Sequence, residues 1–324
     1  MQFSRENYTT YPCLVCGHEE FNHLLDLIDR HHLPVSLSIC ERCGLRQLNP
    51  RMDDTWLEQF YASDYYKLYS MDKRAKSDKW IKRKQGIASG ILDAVEKHRP
   101  LNGLRLLDIG CGHGFLITEA KARGALVYGV EPSIKHAKRL SEQGFEVFAG
   151  TLEQFIAEQS VSYDIVTSSH VLEHSSNPGQ FLKYASSLLA EDGLLCAEVP
   201  NADWQTIYGR HPVSIHTAHL CYHTERSLRA LFETSGLRVI STTYGLNGGS
   251  VRAVSVPGQP ATLEKMALDD AEEIRRTTLL AFKRHTAAWP VKKFWYVIRM
   301  ARKGVVKFRF KQIQKAGRDN HSTQ

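Results

Sequence analysis

The residues with the clearest chemical potential are four paired cysteines. Cys13-x-x-Cys16 and Cys40-x-x-Cys43 are each followed by a glycine, Gly17 and Gly44. A C-x-x-C-G turn aims two thiolates at one point, and two such turns complete the tetrahedral set that zinc prefers. Four protein ligands leave no open position, so the spacing predicts a structural zinc site rather than a catalytic one. Cys111, Cys196 and Cys221 lack this spacing and read as small core or loop residues. Seven scattered cysteines do not read as a secreted disulfide framework.

A second chemical signal is L-D-I-G-C-G-H-G, Leu107 to Gly114. Gly110, Gly112 and Gly114 permit a tight turn and close approach of backbone to a ligand, and the helix that follows presents unpaired N–H groups. The spacing G-x-G-x-G differs from the G-x-G-x-x-G of dinucleotide sites. Asp108 ends the strand before the loop, where its charge repels a pyrophosphate and attracts an ammonium. Glu131 ends the next strand, where a carboxylate can accept both hydroxyls of a ribose. A ligand with a cationic amino-acid end and an unphosphorylated ribose fits both: S-adenosylmethionine.

The elements that must hold these groups read as an α/β unit. L-R-L-L-D-I-G, A-L-V-Y-G-V-E, E-V-F-A-G, Y-D-I-V-T-S-S and G-L-L-C-A-E-V are short apolar runs separated by helical stretches. One such stretch is the helix from Ser133 to Gln143, stopped by Gly144. This rhythm predicts a doubly wound, mostly parallel seven-stranded sheet. G-L-R-V-I-S-T-T-Y-G and G-G-S-V-R-A-V-S-V then form an antiparallel hairpin that closes the sheet. The chain divides into a zinc-ribbon-like module (1–50), a helical linker or lid (51–100), the α/β domain (101–257) and a helical tail (258–324).

Together, L-D-I-G-C-G-H-G, V-E-P-S, Y-D-I-V-T-S-S-H-V-L-E-H and L-A-E-D-G-L-L-C-A-E-V-P-N resemble a class I S-adenosylmethionine-dependent methyltransferase over residues 104–256. The resemblance implies that Asp108, Gly110, Cys111, Gly112 and Gly114 hold the methionine end, and that Glu131, with Pro132 after it, holds the ribose. Thr151 and Leu152 then flank the adenine, and Ser169 and His170 complete the cofactor-side set. Many members of the family carry an acid where Thr151 stands.

A narrower resemblance joins the cysteine pairs to later segments. C-L-V-C-G, S-I-C-E-R-C-G-L-R-Q-L-N-P, H-L-C-Y-H-T-E-R-S-L-R-A-L-F-E-T-S-G-L-R-V and G-G-S-V-R-A-V are similar to sugar C-methyltransferases that carry an N-terminal zinc module. This chain departs from them at Ala218 and Asn247, and in having only about 70 residues where they have a second α/β domain. The resemblance implies a shared architecture and a sugar, glycan precursor or related metabolite as acceptor, but not the same reaction. It makes His219 the first candidate for the base, with His174 second and Glu173 beside it. His216, His219 and His223 suggest a metal set, yet no carboxylate nearby in sequence completes it. Tyr65, Tyr66 and Tyr69 could form a lid, although packing of the linker explains them as well.

Charge is unevenly placed. Residues 291–324 hold ten basic side chains and Asp319, a net +9 against +7 for the whole chain, which leaves −2 for residues 1–290. Phe294, Ile298, Ala301, Val305 and Phe308 form an apolar stripe within this basic segment. Such a helix suits an anionic membrane surface, and equally a protein contact, with RNA a third partner. No apolar run reaches the length of a membrane span and the first residues lack a signal core, so the expected location is cytoplasmic, with the tail at the inner membrane face. Two other function classes stay open: an RNA methyltransferase, disfavoured because basic and aromatic residues are not interleaved, and a cofactor-binding scaffold without chemistry. The sequence leaves the oligomeric state undetermined.

Overall fold

Two glycine-ended turns shape the N-terminal part. The backbone N–H of Gly17 donates to the Cys13 carbonyl at 2.9 Å, and that of Gly44 to the Cys40 carbonyl at 3.0 Å. Both glycines have left-handed φ, 69° and 71°. The two cysteine turns are therefore copies of one conformation. The computed structural model describes residues 8–29, 33–63, 77–158, 161–203, 215–265 and 268–280. The tail stripe of residues 294–308, Tyr65, Tyr66, Tyr69 and His211 lie outside the described residues.

The first strands are β1 (Tyr8–Thr9), β2 (Phe21–Ile28), β3 (Pro34–Cys40), β4 (Arg46–Leu48) and β5 (Arg51–Met52), followed by α1 (Asp54–Ser63). Strands β2, β3 and β4 pair antiparallel. A two-residue strand from far along the chain, Cys221–Tyr222, adds to the free edge of β4. The Leu48 N–H also donates to the Leu220 carbonyl at 2.9 Å, and the Thr217 N–H to Asp29 Oδ2 at 3.2 Å. This sheet is thus completed by the insertion that carries His216, His219 and His223.

The α/β part begins with α2 (Asp78–Glu96), whose Ser77 side chain accepts the Trp80 N–H as an N-cap. Trp80, Ile87, Ala88, Ile91, Leu92 and Val95 recur at helical spacing and are buried. Then come β6 (Arg105–Ile109), α3 (Phe115–Ala122), β7 (Leu126–Glu131), α4 (Ile134–Glu142), β8 (Glu146–Ala149), α5 (Leu152–Glu158) and β9 (Tyr163–Ser169). A 3₁₀ turn, Leu172–His174, leads to α6 (Pro178–Ser187) and β10 (Leu189–Pro200). After β11 (Cys221–Tyr222) follow α7 (Glu225–Thr234), β12 (Leu237–Gly245) and β13 (Ser250–Pro257).

The seven-stranded sheet has the order β12-β13-β10-β9-β6-β7-β8. Strands β8, β7, β6, β9 and β10 are parallel, and β13 runs antiparallel between β10 and β12. Strand β10 starts at Leu189, earlier than the apolar run suggests, and its pairing with β9 is irregular between Leu189 and Leu194. Successive strand residues face opposite helix layers. Leu106, Ile165, Cys196 and Val254 pack with Ile91, Leu92 and Leu116, whereas Leu107, Val166, Leu195 and Ala253 pack with Leu182, Leu228 and Leu231.

The chain runs outward from β6 to β8 and then returns to β9 on the other side of β6. The carboxyl ends of β6 and β9 therefore flank a topological switch point, where open α/β sheets leave a crevice for ligands. The glycine loop between β6 and α3 lies there, and Gly114 caps α3 at φ 78°. A Cβ on Gly114 would sit 2.4 Å from Leu140 Cδ2. Gly114→Ala should therefore destabilise the protein by about 1–3 kcal/mol, read by denaturant unfolding; an unchanged midpoint would contradict this packing.

Candidate active site

The register of three parallel strands assembles the crevice. Asp108 on β6 lies opposite Thr167 on β9 and Gly129 on β7. Its side chain is 3% exposed, and the Thr167 hydroxyl donates to Oδ1 at 2.9 Å. Burial pushes the Asp108 carboxyl up to about 7, against the Thr167 hydrogen bond and with help from the charge of Glu131. Glu131, at the end of β7, is equally buried. Its Oε2 accepts the Gly112 N–H at 2.8 Å and its Oε1 the Ser133 N–H at 2.9 Å. A carboxylate has about four lone-pair sites, so these bonds orient it without exhausting it.

The glycine loop is shaped by its neighbours. A Cβ on Gly110 would lie 2.4 Å from Val171 Cγ2, so the segment after β9 presses directly on the loop. Gly110, Gly112 and Gly114 have φ of 76°, 54° and 78°. Cys111 is buried against Gly129, and burial raises its thiol above the usual range. His113 packs between the Trp80 and His136 rings, with centroids 5.2 and 4.6 Å away. Pro132 precedes Ser133, whose hydroxyl caps α4. Next to it Ile134 is 74% exposed, an apolar side chain left uncovered. At the end of β8, Thr151 and Gln154 cap each other: the Thr151 N–H donates to Oε1 at 2.9 Å, and the Gln154 N–H to Oγ1 at 3.4 Å. Leu152 is buried in the core.

Beyond Ser169 the chain turns through His170 at φ 56°. The His170 N–H donates to the Glu198 carbonyl at 2.8 Å. Its ring lies between two buried carboxylates, with Nδ1 3.2 Å from Glu173 Oε1 and Nε2 3.4 Å from Glu198 Oε1. Burial opposes the charge, yet bonds to Glu173 and Glu198 hold the imidazole up to about 9. Glu198 faces Arg252 across the β10–β13 pair and accepts its Nε–H; the Arg252 Nη1 also donates to the Gly90 carbonyl of α2 at 2.9 Å. Glu198 and Arg252 escape motif reading because the pairing is non-local; an acid in β10 and a cation in the apolar β13 were the available clues.

Glu173 gathers the histidines. Its Oε1 lies 3.9 Å from His219 Nε2. The His174 and His219 rings meet edge to face at 4.8 Å, and the His216 ring centroid is 3.9 Å from that of His219. His174 Nδ1 lies 2.7 Å from the Ala218 carbonyl, and burial holds its pKa below the usual histidine range. His223 stands apart from this group, buried against Cys221 and Ser227. The sequence reading found no carboxylate for a histidine metal set; the fold supplies Glu173 from the 3₁₀ turn. Glu173, His174 and His219 each bring a ligand atom within 4.8 Å of the others.

At the other end, Cys13, Cys16, Cys40 and Cys43 also converge within 4.8 Å. The Sγ atoms of Cys13 and Cys43, and of Cys16 and Cys40, are 3.5 Å apart. Four sulfurs each about 2.3 Å from one zinc would stand somewhat under 4 Å apart, so the set fits that ion. Hydrogen bonding among the crowded thiols lowers Cys16, holds Cys40 at about 7, and raises Cys13 and Cys43.

Because the Thr167 hydroxyl holds the Asp108 carboxyl down against burial, Thr167→Val should move that carboxyl further above about 7. An NMR titration of the Asp108 carboxyl carbon measures this, and a downward move would refute the assignment.

Comparison with known proteins bears on the family and the fold. Ubiquinone biosynthesis O-methyltransferase of Caulobacter sp. (strain K31) is 42% identical over 109 residues, 32% of this chain and 43% of that protein. The enzyme of the same name from Maricaulis maris (strain MCS10) is 41% identical over 109 residues, 31% and 42% of the two chains. The chain thus spans less than half the length of these relatives. A Burkholderia thailandensis 1,6-didemethyltoxoflavin-N1-methyltransferase, solved with 1,6-didemethyltoxoflavin and S-adenosylhomocysteine, shares the fold at TM-score 0.51 and 17% identity, over 74% of this chain and all of that one. The family description "Methyltransferase domain" matches residues 79–242, half of the sequence. The chain belongs to the methyltransferase-domain family, with the class I S-adenosylmethionine-dependent fold.

Proposed function

We propose that the protein moves a methyl group from S-adenosylmethionine to a hydroxyl of a small molecule. The observation that carries this reading is the pair of buried carboxylates, Asp108 and Glu131, set on neighbouring strand ends and linked by the Gly110–Gly114 loop. Asp108 receives the ammonium of the methionine end, with the backbone of Gly110, Cys111, Gly112 and Gly114 around it. Glu131 receives the ribose hydroxyls, with Pro132 behind it. Thr151, Leu152 and the exposed Ile134 border the adenine, and Ser169 and His170 close the remaining side. When bound, S-adenosylmethionine supplies a methyl carbon activated by its sulfonium.

The acceptor lies on the side of Glu173, His174 and His219, which Val171 ties to the glycine loop. These residues orient the acceptor oxygen and promote loss of its proton. Two lines bear on the acceptor. The cysteine module and the later segments favour a sugar, glycan precursor or related metabolite. The curated relatives favour O-methyl transfer, as in ubiquinone biosynthesis. A hydroxyl-bearing small molecule satisfies both. Among the described residues no helix is long and apolar enough to cross a membrane, and an anionic membrane surface for the basic tail stays part of this proposal.

The four cysteines hold a structural zinc in the same reading. Cys40→Ser should then remove thiolate-bound zinc and raise hydrogen exchange over residues 37–48, while β6 and β9 stay protected; equal exchange in both proteins would overturn the zinc assignment.

Asp108 links cofactor binding to pH. Its carboxyl titrates at about 7 when buried alone, and an ammonium favours the ionised form. Below pH 7 the ligand must displace a proton, so affinity for S-adenosylhomocysteine should fall about tenfold for each pH unit and level off above 7. Asp108→Asn should bind weakly and without this slope. Calorimetry at several pH values reads both, and a flat wild-type profile would contradict the role of Asp108. The function itself is tested with labelled S-adenosylmethionine offered to a metabolite extract and to RNA. Label is expected in the small-molecule fraction, and label in RNA alone would overturn the proposal.

A further inference from the structure

We propose that Lys84 and Trp80, on the buried face of α2, form an anion subsite that takes a carboxylate or phosphate of the acceptor. The inference deepens the proposed function and rests on it: the acceptor becomes an acidic small molecule that also carries the hydroxyl to be methylated.

Position comes first. Helical spacing puts residues 80, 84, 87, 88 and 91 on one face, and Trp80, Ile87, Ala88 and Ile91 of that face are buried. Lys84 falls in the middle of this apolar stripe and is half-buried. Two contacts fix where this part of α2 lies. One turn before Lys84, the Trp80 ring meets His113 of the glycine loop and Phe115 edge to face, at 5.2 and 5.4 Å. Six residues after Lys84, the Gly90 carbonyl accepts from Arg252, whose Nε–H is bound by Glu198. Lys84 therefore stands between the cofactor loop and the Glu198 network. The carboxylates that act on its charge are Glu198 and Glu173, which belong to the acceptor side.

Two donors on this face are unmet. Lys84 Nζ makes no hydrogen bond or ion pair among the described residues. Trp80 is 8% exposed, and its buried Nε1–H has no partner among the described residues. A cation and an N–H withdrawn from water without partners are each costly. Packing does not explain them, because methionine and phenylalanine would fill the same places without that cost.

Charge balance points to the sign of the ligand. His170 lies between Glu173 and Glu198, and Arg252 holds Glu198. Two anions thus meet two cations, and burial keeps His174 below the usual histidine range. Lys84 adds a further cation to this group, and Arg83 beside it has the same sign. Burial and Arg83 both disfavour the ammonium, and Glu198 and Glu173 only partly offset them. An anionic ligand favours the charged form and accepts hydrogen bonds from both donors. The methionine carboxylate of the cofactor is the rival occupant, and the test separates the two.

A metabolite extract is divided on anion-exchange resin into retained and unretained pools. Each pool is offered with labelled S-adenosylmethionine to the full-length wild type and to Lys84→Gln, Lys84→Arg, Lys84→Met and Trp80→Phe. Label is expected in the retained pool. There Lys84→Gln should raise the KM for the acceptor about tenfold or more, the size of one lost charge-assisted bond. Lys84→Arg should keep most of the transfer, and Trp80→Phe, which retains a ring against His113, should lose less than Lys84→Gln. Affinity for S-adenosylhomocysteine, read by calorimetry, should not change. Lys84→Met should unfold in denaturant at an unchanged or higher midpoint, because the lysine serves binding and not packing. Label confined to the unretained pool, an unchanged KM in Lys84→Gln, or a lowered midpoint in Lys84→Met overturns the subsite. A loss of S-adenosylhomocysteine affinity as large as the loss of transfer assigns Lys84 to the cofactor and overturns it as well. A wild type that binds no S-adenosylhomocysteine, or labels neither pool, instead overturns the functional reading on which the subsite rests.

Discussion

Burying two carboxylates under one loop is the constraint on which the rest of the structure turns. Asp108 and Glu131 are each 3% exposed, on adjacent strands, and the charge of Glu131 raises the cost of ionising Asp108. A fold tolerates this only if donors are fixed around them. Parallel register puts Thr167 beside Asp108, and the left-handed glycines bend the loop until the Gly112 N–H reaches Glu131. The donors are few for Asp108, and its carboxyl stays near 7. A cationic ligand there would offset the cost of burying the ionised carboxyl.

The same logic extends across the sheet. His170 sits between Glu173 and Glu198, and Arg252 anchors Glu198 from the antiparallel strand β13. Charge therefore alternates from Arg252 on β13 to Glu198 on β10 and to His170 and Glu173 in the turn after β9. Each member is held by the next, so the acceptor side inherits its rigidity from strand pairing. The N-terminal sheet contributes too. Strand β4 pairs with β11 after His219, and Asp29 accepts the Thr217 N–H before it, so both ends of the short run that carries His219 are held.

Much of this was legible in the residues. Apolar runs of five to seven residues alternating with capped helices are local signals, and they located the parallel strands and the closing hairpin. The glycine spacing, the acids at two strand ends and the paired cysteines were legible because sequence neighbours share a turn. What could not be read depends on contacts between distant segments. Cys221–Tyr222 is a strand only because β4 offers a free edge. The early start of β10 rests on the pairing of Leu189 with Tyr163 of β9, a contact between distant segments that precedes the regular register resumed at Leu194. Glu173 read as one acid in S-H-V-L-E-H; its burial beside His219, 46 positions later, arises from the packing of the insertion onto the 3₁₀ turn.

The central claim is tested most directly by a crystal structure with S-adenosylhomocysteine. The account predicts the amino group of the ligand against Asp108, both ribose hydroxyls on Glu131, and the sulfur pointing toward Glu173, His174 and His219. A nucleoside bound with its ribose away from Glu131, or with its sulfur turned from the histidines, would contradict it.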